Sequence, residues 1–570
     1  MNSEVDFPLF PLPKNIEIME LEELIILSEN LRTFLIKTIL ENGGHFAANL
    51  GVVELTVSLL KIFNPLKSPI IWDVGHQSYP YKALTGRASQ IKNIRKTHGI
   101  SGFPKLEESE YDAFGTGHSS TAISSAMGIA IANKIEQDAN TVIAVVGDGA
   151  FTGGMTFEAL NNLKDSGLNV LIILNDNQIG IDPNTGALNH NLKINNIKGW
   201  IQWFGIDYTG PIDGHNIEEL TGVLSTLKSQ KEPRLLHIKT TKGKGHLEAE
   251  KAQTYWHSAP QFVKIPNTVA ESSWSSIFGS QVFKLANTNS DLFGITPAMP
   301  SGSGLVKTIA QFPNRFIDVG ISEQHAVTFS AGIAAKGKPV IISIYSTFLQ
   351  RGYDQFIHDV AIQKLPVVLA IDRAGLVGED GPTHHGVFDI AYLLPIPNIT
   401  IFAPLDAQEL WNCLNLSIKS SNISAIRYPR GKCQNAKWIE SRTNFKPITK
   451  LKSSSSETLI ITTGKATEIA LSMRKYDDLE FNHIHILQIK PVPEELNLFQ
   501  YKKIITVEDG SIIGGMGHYL KSQYEDKTSA KWIHLGIPDR FIPHGSNADL
   551  YLDCGFDSDS IEKLLITISD

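Results

Sequence analysis

Residues 141–182 read TVIAVVGDGAFTGGMTFEALNNLKDSGLNVLIILNDNQIGID, and this stretch constrains the fold of the 570-residue chain more than any other. Val142–Val146 is a short, β-branched apolar run, the pattern of a strand buried on both faces. Met155–Lys164 then places Met155, Ala159, Leu160 and Leu163 at helical spacing, and Val170–Leu174 is a second buried strand. A strand–helix–strand unit of roughly 30 residues makes the two strands parallel neighbours. Their C-terminal ends lie on one sheet edge, where open α/β sheets bind ligands. Asp148 and Asn177 are therefore expected side by side. One carboxylate and one amide oxygen are too few to cage an ion. They suit Mg²⁺, which keeps coordination places for phosphate and water. Gly147, Gly149, Gly153 and Gly154 let backbone N–H groups approach an anion. A lone Gly-Asp-Gly is a common turn; Gly-Asp-Gly followed at this distance by Asn-Asp-Asn is much more specific.

A chain of this length needs more than one core. Its net charge of −8, with no basic run, argues against nucleic acid as a partner. Cys413, Cys433 and Cys554 are scattered without metal-binding spacing, which points to a reducing cytoplasm. No run of apolar residues is long enough to span a membrane, and the start lacks a signal-peptide layout.

In chain order, a helix is expected over Leu21–Leu40, followed by Gly43-Gly44-His45 as a loop. Pro69–Asp73 reads as a strand whose end carries His76. Gly115-Thr116-Gly117-His118-Ser119-Ser120 precedes a helix rich in small residues, with Ser119 or Ser120 as its cap and the turn as an anion seat. Pro183–Gly199 shows no period and reads as a loop. Lys242–His246 closes this first α/β set, and a linker follows over 263–274. A second set, 275–445, carries Glu323 in the first turn of a helix. Tyr345 and Phe348 follow one strand and Arg373 another. Asp380 and His384 lie on a Gly-rich loop, and Arg430 stands at a further strand end. Two arginines on one edge suit bidentate capture of phosphate. The third set, 446–570, is read as structural or dimer-forming.

These residues sit within segments that resemble the 1-deoxy-D-xylulose-5-phosphate synthase family of transketolase-like thiamine-diphosphate enzymes. They include GGHFAANLGVVELT from 43, IWDVGHQSYPYK from 71, GTGHSST from 115 and VVGDGAFTGGMTFEALNN from 145. ISEQHAVTFSAGIA from 321, IDRAGLVGEDGPTHHG from 371, RYPRG from 427 and GIPDRFIPHG from 536 continue the match nearly to the end. The resemblance implies three doubly wound α/β domains: pyrophosphate-binding (1–262), pyrimidine-binding (275–445) and C-terminal (446–570). It implies a cytoplasmic homodimer, with thiamine diphosphate between the first two domains of one chain. The implied substrates are pyruvate and D-glyceraldehyde 3-phosphate; a related carboligase or transketolase with another donor or acceptor is the alternative.

By the same resemblance, Asp148 and Asn177 bind Mg²⁺. His76, Gly117, His118, Ser119, Gly149, Ala150, Asn177, His246 and Phe348 line the cofactor, and Glu323 activates its aminopyrimidine ring. His45, His76, His384 and Asp380 serve the reacting carbon, while Tyr345, Arg373 and Arg430 hold the triose phosphate. Two departures stand out. The family carries a further segment between about Leu188 and Trp203 that is reduced here to a short stretch, and His246 stands where the family has a tyrosine.

Overall fold

A computed structural model describes residues 9–259 and 273–569. The chain forms two compact units, one built on residues 9–259 with Gly320–Ser322, the other on 273–319 and 323–569. Nearly all of the expected 263–274 linker lies outside the described residues. Among the described residues, no helix is long and apolar enough to cross a membrane.

In the first unit the strands are β1 (Gly44–His45), β2 (Ile70–Trp72), β3 (Val142–Gly147), β4 (Val170–Asp176), β5 (Asp207–Asp213), β6 (Arg234–Lys239) and β7 (Ser258–Ala259). Five of them make a parallel sheet in the order β2-β3-β4-β6-β5. Alternation decides how it is covered. Ile143 and Val145 of β3, with Leu171 and Ile173 of β4, enter one apolar cluster, whereas Val142, Ala144, Val146, Val170, Ile172 and Leu174 enter another. Successive side chains of a strand point to opposite faces, so an unbroken apolar run demands helices on both.

The second unit contributes β8 (Phe293–Thr296), β9 (Phe316–Asp318), β10 (Val340–Tyr345), β11 (Val367–Ala374), β12 (Ile399–Phe402) and β13 (Ile423–Pro429). It continues with β14 (Ile448–Lys452), β15 (Thr458–Thr462), β16 (Asn482–Ile486), β17 (Gln488–Lys490), β18 (Lys503–Ser511) and β19 (Lys531–Ile537). Two sheets result, β9-β8-β10-β11-β13-β12-β17 and β14-β16-β15-β18-β19. The strand β17 leaves the last part of the chain to pair antiparallel with β12. One apolar cluster holds Ile342, Leu369, Leu459, Ile461 and Ile504 together, so the two sheets share a core.

Three local expectations change. Pro183–Gly199 contains a helix, Gly186–Lys193, and a second helix, Lys198–Trp203, starts before its end. Leu192, Ile197 and Ile201 are buried against the β3–β4 face, so packing supplies the order that a weak sequence period did not announce. His45 belongs to a two-residue strand rather than a loop. Neither Ser119 nor Ser120 caps the following helix by its side chain; the Asp73 carboxylate takes the Ser120 and Ala122 N–H groups at 2.7 and 3.0 Å.

Candidate active site

β3 and β4 pair in register up to Gly147 opposite Asn175, which brings Asp148 to the turn after Asp176. Asp148 is buried, and its carboxylate accepts N–H from Gly149 (2.7 Å), Asn177 (3.0 Å) and Gln178. Burial, then the neighbouring Asp176, pushes its pKa above the ordinary carboxylate range. Asp176 Oδ1 is itself buried without a hydrogen-bond partner. Among the described residues no three His, Cys, Asp or Glu side chains converge as a protein-only metal cage would need. A divalent cation fits these facts: it would relieve the crowded acids, accept the Asp148 and Asn177 oxygens, and leave places for phosphate and water.

The loop expected to seat an anion is tied to this edge. Ser120 Oγ donates to Ala150 O at 2.7 Å, and a Cβ on Gly153 would fall 2.1 Å from Ser120 Oγ. Only glycine lets the two loops approach so closely. Gly117 is buried, with His118 and Ser119 half-buried beside it. Gly149 and Ala150 are also buried.

Three histidines converge in the first unit. The β1–β7 pairing sets His45 opposite Ser258, next to His257. Ring centroids are 5.7 Å apart for His45–His76, 5.8 Å for His45–His257 and 5.3 Å for His76–His257. Asn49 holds the cluster, donating to the carbonyls of His45 (2.8 Å) and His76 (2.9 Å) and accepting from Tyr79 N–H (2.8 Å). Burial and the Lys242 ammonium lower His76 to about 3, so its ring is neutral; its Nδ1 is buried without a hydrogen-bond partner. Lys242, 3.3 Å from His257 Nδ1, is lowered by burial to about 8.

The sequence reading missed His257, Lys242 and Asp73. Asp73 immediately precedes the Val74-Gly75-His76 turn and could have been flagged as a strand-end acid, whereas nothing local marks His257. His246 caps the helix Leu247–Lys251 through Nδ1 and packs edge-on against Phe46 and obliquely against Trp256. That gives it a structural job of its own.

In the second unit Glu323 opens the helix Glu323–Ala335, as expected, and is 6% exposed. Burial raises its pKa, with Arg351 opposing. Beyond β10, Tyr345 and Phe348 stack at 5.4 Å, and Phe348 meets His384 edge-on at 5.7 Å. The Arg373 guanidinium lies 4.1 Å from the Tyr345 ring centre. Arg430 donates to Val377 O, to Glu379 at 3.1 Å and to Asp380 at 3.5 Å. Tyr345, Phe348, Arg373, His384, Asp380 and Arg430 thus line the C-terminal edge of one sheet and the loop beside it.

The family model for 1-deoxy-D-xylulose-5-phosphate synthase matches residues 10–202 and 197–240. Models for the transketolase pyrimidine-binding and C-terminal domains match 270–435 and 449–561. A curated 1-deoxy-D-xylulose-5-phosphate synthase from Cytophaga hutchinsonii is 41% identical over 98% of this chain and 97% of its own. One from Clostridium tetani is 43% identical over 96% and 97%. The chain belongs to the 1-deoxy-D-xylulose-5-phosphate synthase family.

Membership in this family makes it a thiamine-diphosphate-dependent, transketolase-type transferase of α/β fold. The synthase match comes in two pieces that overlap at 197–202, at the helix Lys198–Trp203. The Cytophaga alignment runs over 621 residues against 570 here, so that synthase carries residues this chain lacks.

Proposed function

We propose that the chain decarboxylates pyruvate and joins the remaining two-carbon unit to D-glyceraldehyde 3-phosphate, releasing CO₂ and 1-deoxy-D-xylulose 5-phosphate. The observation that carries this reading is a match at 41–43% identity that runs through nearly all of both chains, including every candidate site segment. When bound, thiamine diphosphate supplies the electron sink that such a decarboxylation needs. Asp148 and Asn177 would hold Mg²⁺, and Gly117, His118, Ser119, Gly149 and Ala150 would line the cofactor. Glu323, a buried acid, would hydrogen-bond the aminopyrimidine, and Phe348 would line the cofactor. His45 and His76 bind the pyruvate carboxylate and move protons. His384 serves the aldehyde's proton and Asp380 orients its loop. Tyr345, Arg373 and Arg430 hold the triose phosphate, for which Arg430 exchanges its present carboxylate partners. His246 would contact the cofactor from the start of the helix it caps.

The pyrophosphate-binding, pyrimidine-binding and C-terminal domains are assigned to 1–262, 275–445 and 446–570, in a cytoplasmic homodimer. Light scattering on the purified chain tests the dimer. Product analysis after supplying pyruvate, glyceraldehyde phosphate, thiamine diphosphate and Mg²⁺ tests the reaction, with deoxyxylulose phosphate expected. The shortened 188–203 segment favours a second reading, a carboligase with a changed acceptor. A panel of aldehydes separates the two, since another preferred acceptor would displace the first reading.

A further inference from the structure

Residues 376–385 form a loop closed at its base by paired hydrogen bonds between Gly375 and Gly386, at 2.7 and 2.8 Å. Apart from one turn, Gly381–Thr383, it has no regular structure of its own, yet it carries Asp380 and His384. A loop of this kind keeps one conformation only if something outside it holds its backbone. On one side Arg430 grips Val377 O, Glu379 and Asp380. On the other stands His385, 3% exposed. Its Nδ1 accepts the Val377 N–H at 3.1 Å, and its Nε2 lies 3.1 Å from Pro543 O, in the segment after β19. An amide N–H can only donate and a carbonyl can only accept, so the ring is fixed as the neutral Nε2–H form. Burial lowers its pKa to about 4, with Asp380 and His544 acting in opposite directions, which keeps that form through the working pH range. Gly545 N–H also donates to Gly378 O at 3.4 Å. A Cβ on Gly381 would lie 2.9 Å from His544 Cβ, so the two segments are in close contact.

We propose that His385 is a positioning residue that clasps the 376–385 loop to the C-terminal segment around Pro543, holding Asp380 and His384 for the phosphorylated acceptor. The inference rests on the synthase reading for the roles of Asp380 and His384, but the clasp itself can be measured without it. A glutamine amide offers one donor and one acceptor, as the imidazole does; leucine fills similar space and offers neither.

The experiment compares the full chain, loaded with thiamine diphosphate and Mg²⁺, with H385Q and H385L. Hydrogen–deuterium exchange of peptides covering 376–386 should be about tenfold faster in H385L and within about threefold of the parent in H385Q, with 141–182 unchanged. H385L should lose about tenfold in kcat/KM for glyceraldehyde phosphate while the pyruvate KM stays within about twofold, and H385Q should recover most of the loss. Unchanged exchange in H385L, or H385Q as impaired as H385L, overturns the clasp. If H385L does not fold, H385N takes its place: its shorter amide reaches one partner at a time and should exchange faster than the parent, and parental exchange overturns the proposal. Absence of deoxyxylulose phosphate from the parent enzyme would sink the synthase reading alone, because the exchange data still judge the clasp.

Discussion

β3 runs into Gly147-Asp148-Gly149, then the glycine pair 153–154 and the helix Gly154–Ser166. β18 runs through Glu508-Asp509-Gly510, then the pair 514–515 and the helix Met516–Tyr524. Both endings place a buried acid at the edge of a mostly parallel sheet, and both crowd glycine against it. In the second, an ion pair of the chain closes on one of the two acids. Glu508 accepts N–H from Met516 (2.7 Å) and Gly517 (2.9 Å) at a helix N-terminus. Asp509 meets Arg427 at 2.7 Å, and Arg427 also reaches Asp389 at 3.0 Å. In the first, amide N–H groups fix Asp148, Asp176 lies close by, and among the described residues no ion pair closes on Asp148. A strand-end acid followed by glycines therefore does not define a ligand site. What separates the two is whether an ion pair within the fold closes on an acid at the strand end.

Changing Asp148 should give the largest effect. Asp148→Asn is expected to lose deoxyxylulose phosphate formation and Mg²⁺-dependent cofactor affinity by about 100-fold or more. Thermal stability without cofactor should hold or rise, since a neutral amide is cheaper to bury than a crowded carboxylate. A cofactor titration followed by tryptophan fluorescence checks the first point, and parental affinity would break the contrast drawn here. Arg427→Met should act on stability instead, by about 3–5 kcal/mol in urea unfolding, because it strands Asp389 and Asp509 in the interior. A loss below about 1 kcal/mol would mean that the ion triad is dispensable.

Glu508→Gln is expected to cost about 1–3 kcal/mol near pH 5. Burial raises Glu508 from 4.5 to about 8. Its contribution is therefore complete below pH 4.5 and is lost as pH rises through 8. The gap between parent and E508Q urea midpoints should narrow from pH 5 to pH 8, and a widening gap would contradict the assignment. Smallest is Ser120→Ala, about 1 kcal/mol with a modest rise in the cofactor's apparent Kd, since it removes one of the bonds to Ala150 O, which Thr156 Oγ1 and the Gly153 N–H also reach.

Much of this was legible because it depends on neighbours in sequence. The β3–helix–β4 unit, the arrival of Asp148 beside the Asn175–Asn177 turn and the placing of Glu323 on a first helical turn all follow from periodicity and chain direction. The helix Gly186–Lys193 was not legible, because Leu188 and Leu192 are too few to set a period and gain order only against the β3–β4 face. Asp73 as the cap of a helix that begins at Ala122, and His257 beside His45 through a two-residue pairing, depend on contacts across 49 and more than 200 positions.

By itself the sequence determined a buried parallel sheet with an acid and an amide at one edge, because alternation and crossover length are local properties. Only the tertiary structure decided that Asp509 closes a buried ion pair within the fold while Asp148 does not. Charge compensation depends on which distant side chain shares the same low-dielectric space, and no spacing along the chain records that.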